Sequence, residues 1–182
     1  MDVDGARLAA LLDREEITQV LHRLCRGLDR ADARLCASCY HPDATEVHGD
    51  WCGSAAGFYE RALGRIPDRY EVMRHSLSTI TIELDGDRAH VESYVTAACV
   101  LRERRAGRKI VSVLHGRYVD LFERRAVEWR IAHRVVVKDY RDVRAIDDPA
   151  EQYPLAEWGP ADPSYLRGEA LRALRPTEPA TR

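Results

Sequence analysis

HSLSTITIELDGDRAHVESYVTAACVLRE, from His75 to Glu103, reads as two long strands joined at Asp85-Gly86-Asp87. Apolar, β-branched and aromatic residues recur in it with a period of two, and Asp-Gly between such runs is a strong hairpin signal. Two runs of the same kind follow, KIVSVLHGRYVDLFER (109–124) and EWRIAHRVVVKDY (128–140), with turns expected at 105–107 and 124–127. Four strands of roughly 10 to 13 residues exceed the usual length of about 5 or 6. Strands that long coil strongly, so the sheet should wrap and leave a cavity on its concave side.

Toward the N-terminus the period changes to 3.6. In REEITQVLHRLCRGLDRADARLCASCYHPDA (14–44), Ile17, Val20, Leu21, Leu24 and Leu28 recur at three- and four-residue steps and line up one helical face. That helix is expected to break at 27–32, which leaves Asp29 at or just past its carbonyl end, a place that disfavours a carboxylate. Asp29 as a solvated turn residue is the plain alternative. Asp32 reads as the N-cap of a second helix running to Tyr40. HPDATEVHGDW then carries a turn and a short extended piece. SAAGFYERALGR forms a third helix from Ser54, with Phe58, Ala62 and Leu63 on its buried side. Helices followed by a meandering sheet make the fold α+β: a cone-shaped barrel whose strongly curved, mainly antiparallel sheet wraps around about three N-terminal helices.

The 182 residues are most economically one domain over 1–144 with an extended tail over 145–182. The tail is rich in proline and turn residues. It should pack over the domain or a neighbouring subunit, with a weak helical tendency at 168–174 and a disordered end. Lys and Arg number 28 against 30 Asp and Glu, a net charge of -2, so no basic excess invites nucleic acid. Partners are expected to be a small-molecule substrate and other copies of the chain, as a homo-oligomer (dimer or trimer), because so long a sheet has an apolar outer face to cover. With no membrane-spanning run and acids where a secretory signal would be basic, the chain reads as cytoplasmic. Five cysteines at irregular spacing fit reduced, mostly buried thiols, and Cys36-x-x-Cys39 reads as two small residues on one helical face. No metal site is expected, since no HxH or HExxH spacing sets two histidines on one face. No cofactor is expected either, for want of a glycine-rich phosphate loop or dinucleotide fingerprint.

Strict alternation puts His75, Leu77, Thr79, Thr81 and Glu83 on one face of the first long strand and Ser76, Ser78, Ile80, Ile82 and Leu84 on the other. In the last strand it puts His133 with Trp129 and Ile131, and Arg134 with Arg130 and Ala132, so both cannot face a cavity unless a bulge intervenes. With no nucleophile elbow in the chain, the remaining chemistry is an acid/base pair: an aspartate at the end of the first helix and a histidine on the sheet. A carboxylate holds an imidazole in one tautomer and makes it a better base. A rim or dimer-contact role is the alternative for His75.

GLDRADARLCASCYHPDAT, the histidine of MRHSLSTITIELDGDRAHVESYV, VEWRIAHRVVVKDYRD and the trailing Asp162-Pro-Ser-Tyr165 together resemble the SnoaL-like branch of the nuclear transport factor 2-like superfamily, over roughly residues 8–166. The branch includes the scytalone dehydratase, bile-acid 7α-dehydratase and lindane dehydrochlorinase families, alongside polyketide cyclases, ketosteroid isomerases, epoxide hydrolases and catalytically silent subunits. The resemblance implies Asp29 and His75 as a catalytic dyad and Arg134 as the strand arginine. This chain departs from the eliminating members at Leu24, where they carry Tyr or Lys. An acid or substrate-binding group must then come from elsewhere, with Tyr40, Tyr94, His115, Tyr118 and His133 as candidates. The function implied is a cofactor-free dehydratase, isomerase or cyclase acting on an apolar ring compound, in a biosynthetic setting. A non-catalytic ligand-binding or assembly subunit of the same fold is the second reading.

Overall fold

The computed structural model describes residues 4–148 and 153–175. Helix α1 (Gly5–Asp29) is capped by Asp4, whose carboxylate accepts from the Ala6 N–H at 3.1 Å. Its stripe Ile17, Val20, Leu21, Leu24 and Leu28 is buried, as the helical period requires. Helix α2 (Ala33–Ala37) starts at its cap Asp32 and stops short of the expected Tyr40, because Tyr40 already opens β1 (Tyr40–His48). Strand β2 (Trp51–Ser54), α3 (Ala55–Leu63) and the single turn α4 (Ile66–Arg69) come next. The buried side of α3 is Ala55, Tyr59 and Leu63, with the expected Phe58 only partly buried at its edge.

Four strands complete the sheet: β3 (Tyr70–Asp85), β4 (Arg88–Arg105), β5 (Arg108–Arg125) and β6 (Glu128–Ile146). At 16 to 19 residues they are longer than expected from the pattern. As a result His75 lies inside β3 and does not open it. The strand order is β2-β1-β6-β5-β4-β3, antiparallel throughout except for the parallel pair β1 and β6.

Besides one at Glu71 near the start of β3, three single-residue bulges set which side chains face inward. Ser78 pairs with Tyr94 and Ile80 with Ser93, leaving Thr79 unpaired with φ +47°. Leu121 pairs with His133 and Phe122 with Ile131, leaving Ala132 extra, and Asp139 is skipped between Lys138 and Tyr140. Each extra residue reverses the parity of its strand. The strict alternation expected for β3 and β6 therefore does not hold. Leu77 shares its face with Ile80, Ile82 and Leu84, all packed against the core, and Arg134 shares the buried side of Trp129 and Ile131.

The core gathers the α1 stripe against Phe122, Trp129 and Ile131 of the sheet and Tyr59 and Leu63 of α3. Where α1 turns into α2 the two backbones nearly touch. A Cβ on Gly27 would lie 2.7 Å from the Cys36 sulfur and 3.1 Å from its backbone nitrogen. Gly27→Ala is therefore expected to force the junction apart at a cost of about 1–3 kcal/mol. In a thermal melt that is a fall of roughly 2–12 °C for a chain of this size. An unchanged melting temperature would show that the junction yields freely. Cys36 and Cys39 are fully buried, and burial pushes both thiols above their ordinary range.

The segment 153–175 carries two 3-10 turns (Gly159–Ala161 and Pro163–Tyr165) and α5 (Gly168–Arg172), and it is fastened to the end of α1. Asp162 pairs with Arg30 at 2.9 Å, the Gly159 N–H donates to the Arg30 carbonyl at 2.7 Å, and the Tyr165 hydroxyl donates to Asp32 at 2.7 Å. With Arg26, whose guanidinium donates to the Ser164 carbonyl at 3.0 Å, these ties flank Asp29 on both sides. The expectation of a disordered end concerns 176–182, outside the described residues. No described helix is long and apolar enough to cross a membrane.

Candidate active site

Asp29 is the last residue of α1, and β3 crosses that helix end. The Asp29 carboxylate accepts the backbone N–H of His75 at 2.9 Å and 3.1 Å and contacts the ring Nδ1 at 2.7 Å. A carboxylate can only accept, so Nδ1 carries the proton and Nε2 keeps its lone pair. Three contacts to one residue hold the imidazole by its own backbone as well as its ring, and offset the poor placement of an acid at a helix C-terminus.

The concave side of the sheet borders a half-open cavity of about 340 Å³. His75 lines it, together with Leu28 at the end of α1, Phe58 and Tyr59 of α3, and the inner faces of the long strands. Asp29 lines a separate hollow along the last turns of α1, so the cavity meets the imidazole with the carboxylate behind it.

The floor is a second polar group. Arg134 is fully buried and donates through Nε and Nη2 to Asp120 at 2.7 Å and 2.6 Å, with its guanidinium 3.9 Å from the centre of the Tyr118 ring. Burial pushes the Asp120 carboxyl up and the Arg134 guanidinium pulls it back; the bidentate geometry is that of an ion pair. Tyr118 lines the cavity, and its hydroxyl has no hydrogen-bond partner among the described residues. Burial keeps that phenol protonated by pushing its pKa up, against the pull of Arg134. The Tyr40 hydroxyl lies 3.0 Å from Glu46 and 2.6 Å from the Tyr59 hydroxyl, and burial likewise raises both phenols. Glu46, 1% exposed, also binds Nδ1 of His48 at 2.9 Å, and His48 stacks on Phe58.

Of the residues singled out in the sequence, His75, Tyr118 and Arg134 line the cavity, with Asp29 behind His75 and Tyr40 joined to its wall. Three lie elsewhere. The bulge at Ala132 turns His133 to the outer face, where its Nδ1 meets the Thr45 hydroxyl at 2.7 Å. His115 stacks on Tyr140 on that same outer side, and Tyr94 is exposed. None of these three can serve as an acid in the cavity. Sequence reasoning missed Glu46, His48, Tyr59 and Asp120. Glu46 and His48 were within reach, since two polar residues two positions apart on a strand share a face. Among the described residues, no three His, Cys, Asp or Glu side chains gather closely enough to hold a metal ion.

Solved structures share this architecture. A scytalone dehydratase candidate from Novosphingobium aromaticivorans superposes with a TM-score of 0.66 at 20% identity, covering 78% of this chain and 97% of its own. The hexachlorocyclohexane dehydrochlorinase LinA type 2 gives 0.69 at 18% identity, over 80% and 97%. A LinA type 3 enzyme from Novosphingobium barchaimii gives 0.66 at 17%, over 81% and 99%. Identities this low carry the fold alone. No curated protein matches the sequence at a comparable level. Residues 9–135, α1 through the buried arginine of β6, match the SnoaL-like domain, and with the curved sheet and its helices around one cavity they place the chain in the SnoaL-like domain family.

Proposed function

We propose that the protein is a cofactor-free acid/base enzyme that eliminates water from, or isomerises, an apolar ring compound carrying a hydroxyl β to a carbonyl. The observation that carries this reading is the His75–Asp29 contact, which leaves an unprotonated Nε2 on a residue that lines a half-open, largely apolar cavity. His75 takes the proton from the carbon next to the carbonyl, and Asp29 stabilises the imidazolium that forms. The electrons of the broken C–H bond pass through an enolate, whose oxygen receives the Tyr118 hydroxyl as a hydrogen bond. They then expel the β-hydroxyl as water, with the second imidazole, His48 on Glu46, delivering the proton. His75 then releases its proton to solvent and His48 takes one up from solvent, so both imidazoles are restored and the balance is substrate to enone plus water.

This division of labour predicts unequal losses. Tyr118→Phe removes only the hydrogen bond and should lower kcat on the order of 10²- to 10³-fold, in the range of a lost oxyanion donor. His48→Gln should cost about 10²-fold or more, the lower range for general-acid catalysis. With a β-hydroxyketone panel followed by enone absorbance, His48→Gln should recover on a substrate with a better leaving group, while Tyr118→Phe should not. Equal recovery of both would dismiss the assignment of acid and oxyanion donor. The outer sheet face, with Tyr94, Leu121 and Tyr140 exposed, supports a homo-oligomer as the working assembly.

A further inference from the structure

One wall of the cavity is built from arginines that have nothing to neutralise them. Arg61 of α3, Arg65 and Arg69 at α4, and Arg141 of β6 all line it. Arg61 lies over the Trp51 ring and Arg69 over the Tyr70 ring, but none of the four pairs with a carboxylate among the described residues. Elsewhere on the sheet most arginines find acids, among them Arg104 with Glu71, Arg108 with Asp147, Arg124 with Asp13 and Asp87, and Arg125 with Asp43, while Arg74, Arg102 and Arg105 make no ion pair among the described residues. The lining holds only two carboxylates. Glu46 is committed to Tyr40 and His48, and Asp50 makes no ion pair. The buried indole N–H of Trp51, beneath Arg61, also has no acceptor. Asp50 apart, the charged side chains of this wall are donors.

The register says where these charges stand relative to the base. His75 pairs with Ala97, Ala97 with Leu114, and Leu114 with Arg141. Those four residues form one row across the inner face, and all four line the cavity. Three strand spacings separate the backbones of His75 and Arg141 by roughly 14 Å along the sheet. Two long side chains reaching inward shorten that to a gap suited to a ring compound with an acidic group at its far end. The Cys99 thiol, between Met73 and Ser112 in the next inward row, is pushed up to about 11 by burial while Arg141 and Arg69 both pull it down. That places the two cations on the same stretch of wall.

Resting on the acid/base reading of this cavity, we infer that the substrate is an anion: an apolar ring compound bearing a carboxylate or phosphate that Arg141 and the Arg61, Arg65, Arg69 wall hold, with its reacting carbon turned to His75. The test is binding, without turnover. Wild-type protein is titrated calorimetrically at low salt with 2-naphthoate, its neutral counterpart 2-naphthamide, and 2-naphthyl phosphate. At least one anion should bind about 10-fold or more tighter than the amide, and the better of the two identifies carboxylate or phosphate as the group held. Raising the salt should erode the preference, since the arginines are solvent-reached. Arg69→Gln with Arg141→Gln should cost the anion on the order of 3- to 10-fold per arginine and leave the amide unchanged. A wild type that binds acid, phosphate and amide equally, or a double variant that keeps the preference, overturns the inference and leaves the acid/base reading standing. If no naphthalene probe binds at all, the cavity is no ligand site and both fall together.

Discussion

His75→Ala is expected to abolish turnover while the protein stays folded. The substitution removes the Nε2 lone pair, and general-base catalysis of this kind contributes about 10²- to 10⁴-fold by itself. The structural cost is small by comparison. It is one hydrogen bond to the charged Asp29, worth about 1.5–3 kcal/mol, which is roughly 3–12 °C in the melting temperature. Asp29→Asn should be milder in structure, because an amide oxygen still accepts the His75 backbone N–H. Its effect on rate should still be on the order of 10²- to 10⁴-fold, since the charge that orients the imidazole and stabilises its protonated form is gone. A non-catalytic subunit would respond differently, with both variants lowering only the melting temperature. Near wild-type turnover by His75→Ala on the true substrate would end the dyad assignment.

The largest stability effect is expected at Asp120. Asp120→Leu leaves the Arg134 guanidinium, 1% exposed, without its bidentate partner. Stranding one member of a buried pair costs about 3–5 kcal/mol, or roughly 6–20 °C in melting temperature for a chain of this length. Replacing both, Asp120→Leu with Arg134→Met, should restore much of that loss, because a packed apolar pair carries no desolvation cost. The double variant should nonetheless be impaired in catalysis, as Tyr118 loses the cation against its ring. Calorimetric melts of the two single variants and the double variant measure this directly. A double variant no more stable than Asp120→Leu would mean the cavity floor depends on the ion pair for its shape as well as its charge balance.

Much of this was legible in the residue order. The 3.6 period of α1, the Asp32 and Ser54 caps, the Asp-Gly hairpin and the long alternating runs are local signals, written over a few residues and read without knowing the rest of the chain. The facing of the strands was half legible. Leu77 is odd-numbered and Ile80, Ile82 and Leu84 are even, a change of parity that marks the bulge at Thr79. In β6, by contrast, Trp129, Ile131, Val135 and Val137 all fall on odd positions on both sides of Ala132, which hides the extra residue. Only pairing with β5 decided that Arg134 turns inward and His133 outward.

Residue types and local spacing thus determined the elements, the α+β class and the aspartate and histidine as an acid/base candidate, because helix caps, turns and periods act over one or two turns of chain. Tertiary structure decided what those residues meet. It set Asp29 beside His75 across 46 positions, paired Asp120 with Arg134 across β5 and β6, and gathered Glu46, His48 and Tyr59 into the same cavity. The physical reason is that such contacts depend on strand register and on single-residue bulges. A shift of one position there moves every following side chain to the opposite face of the sheet.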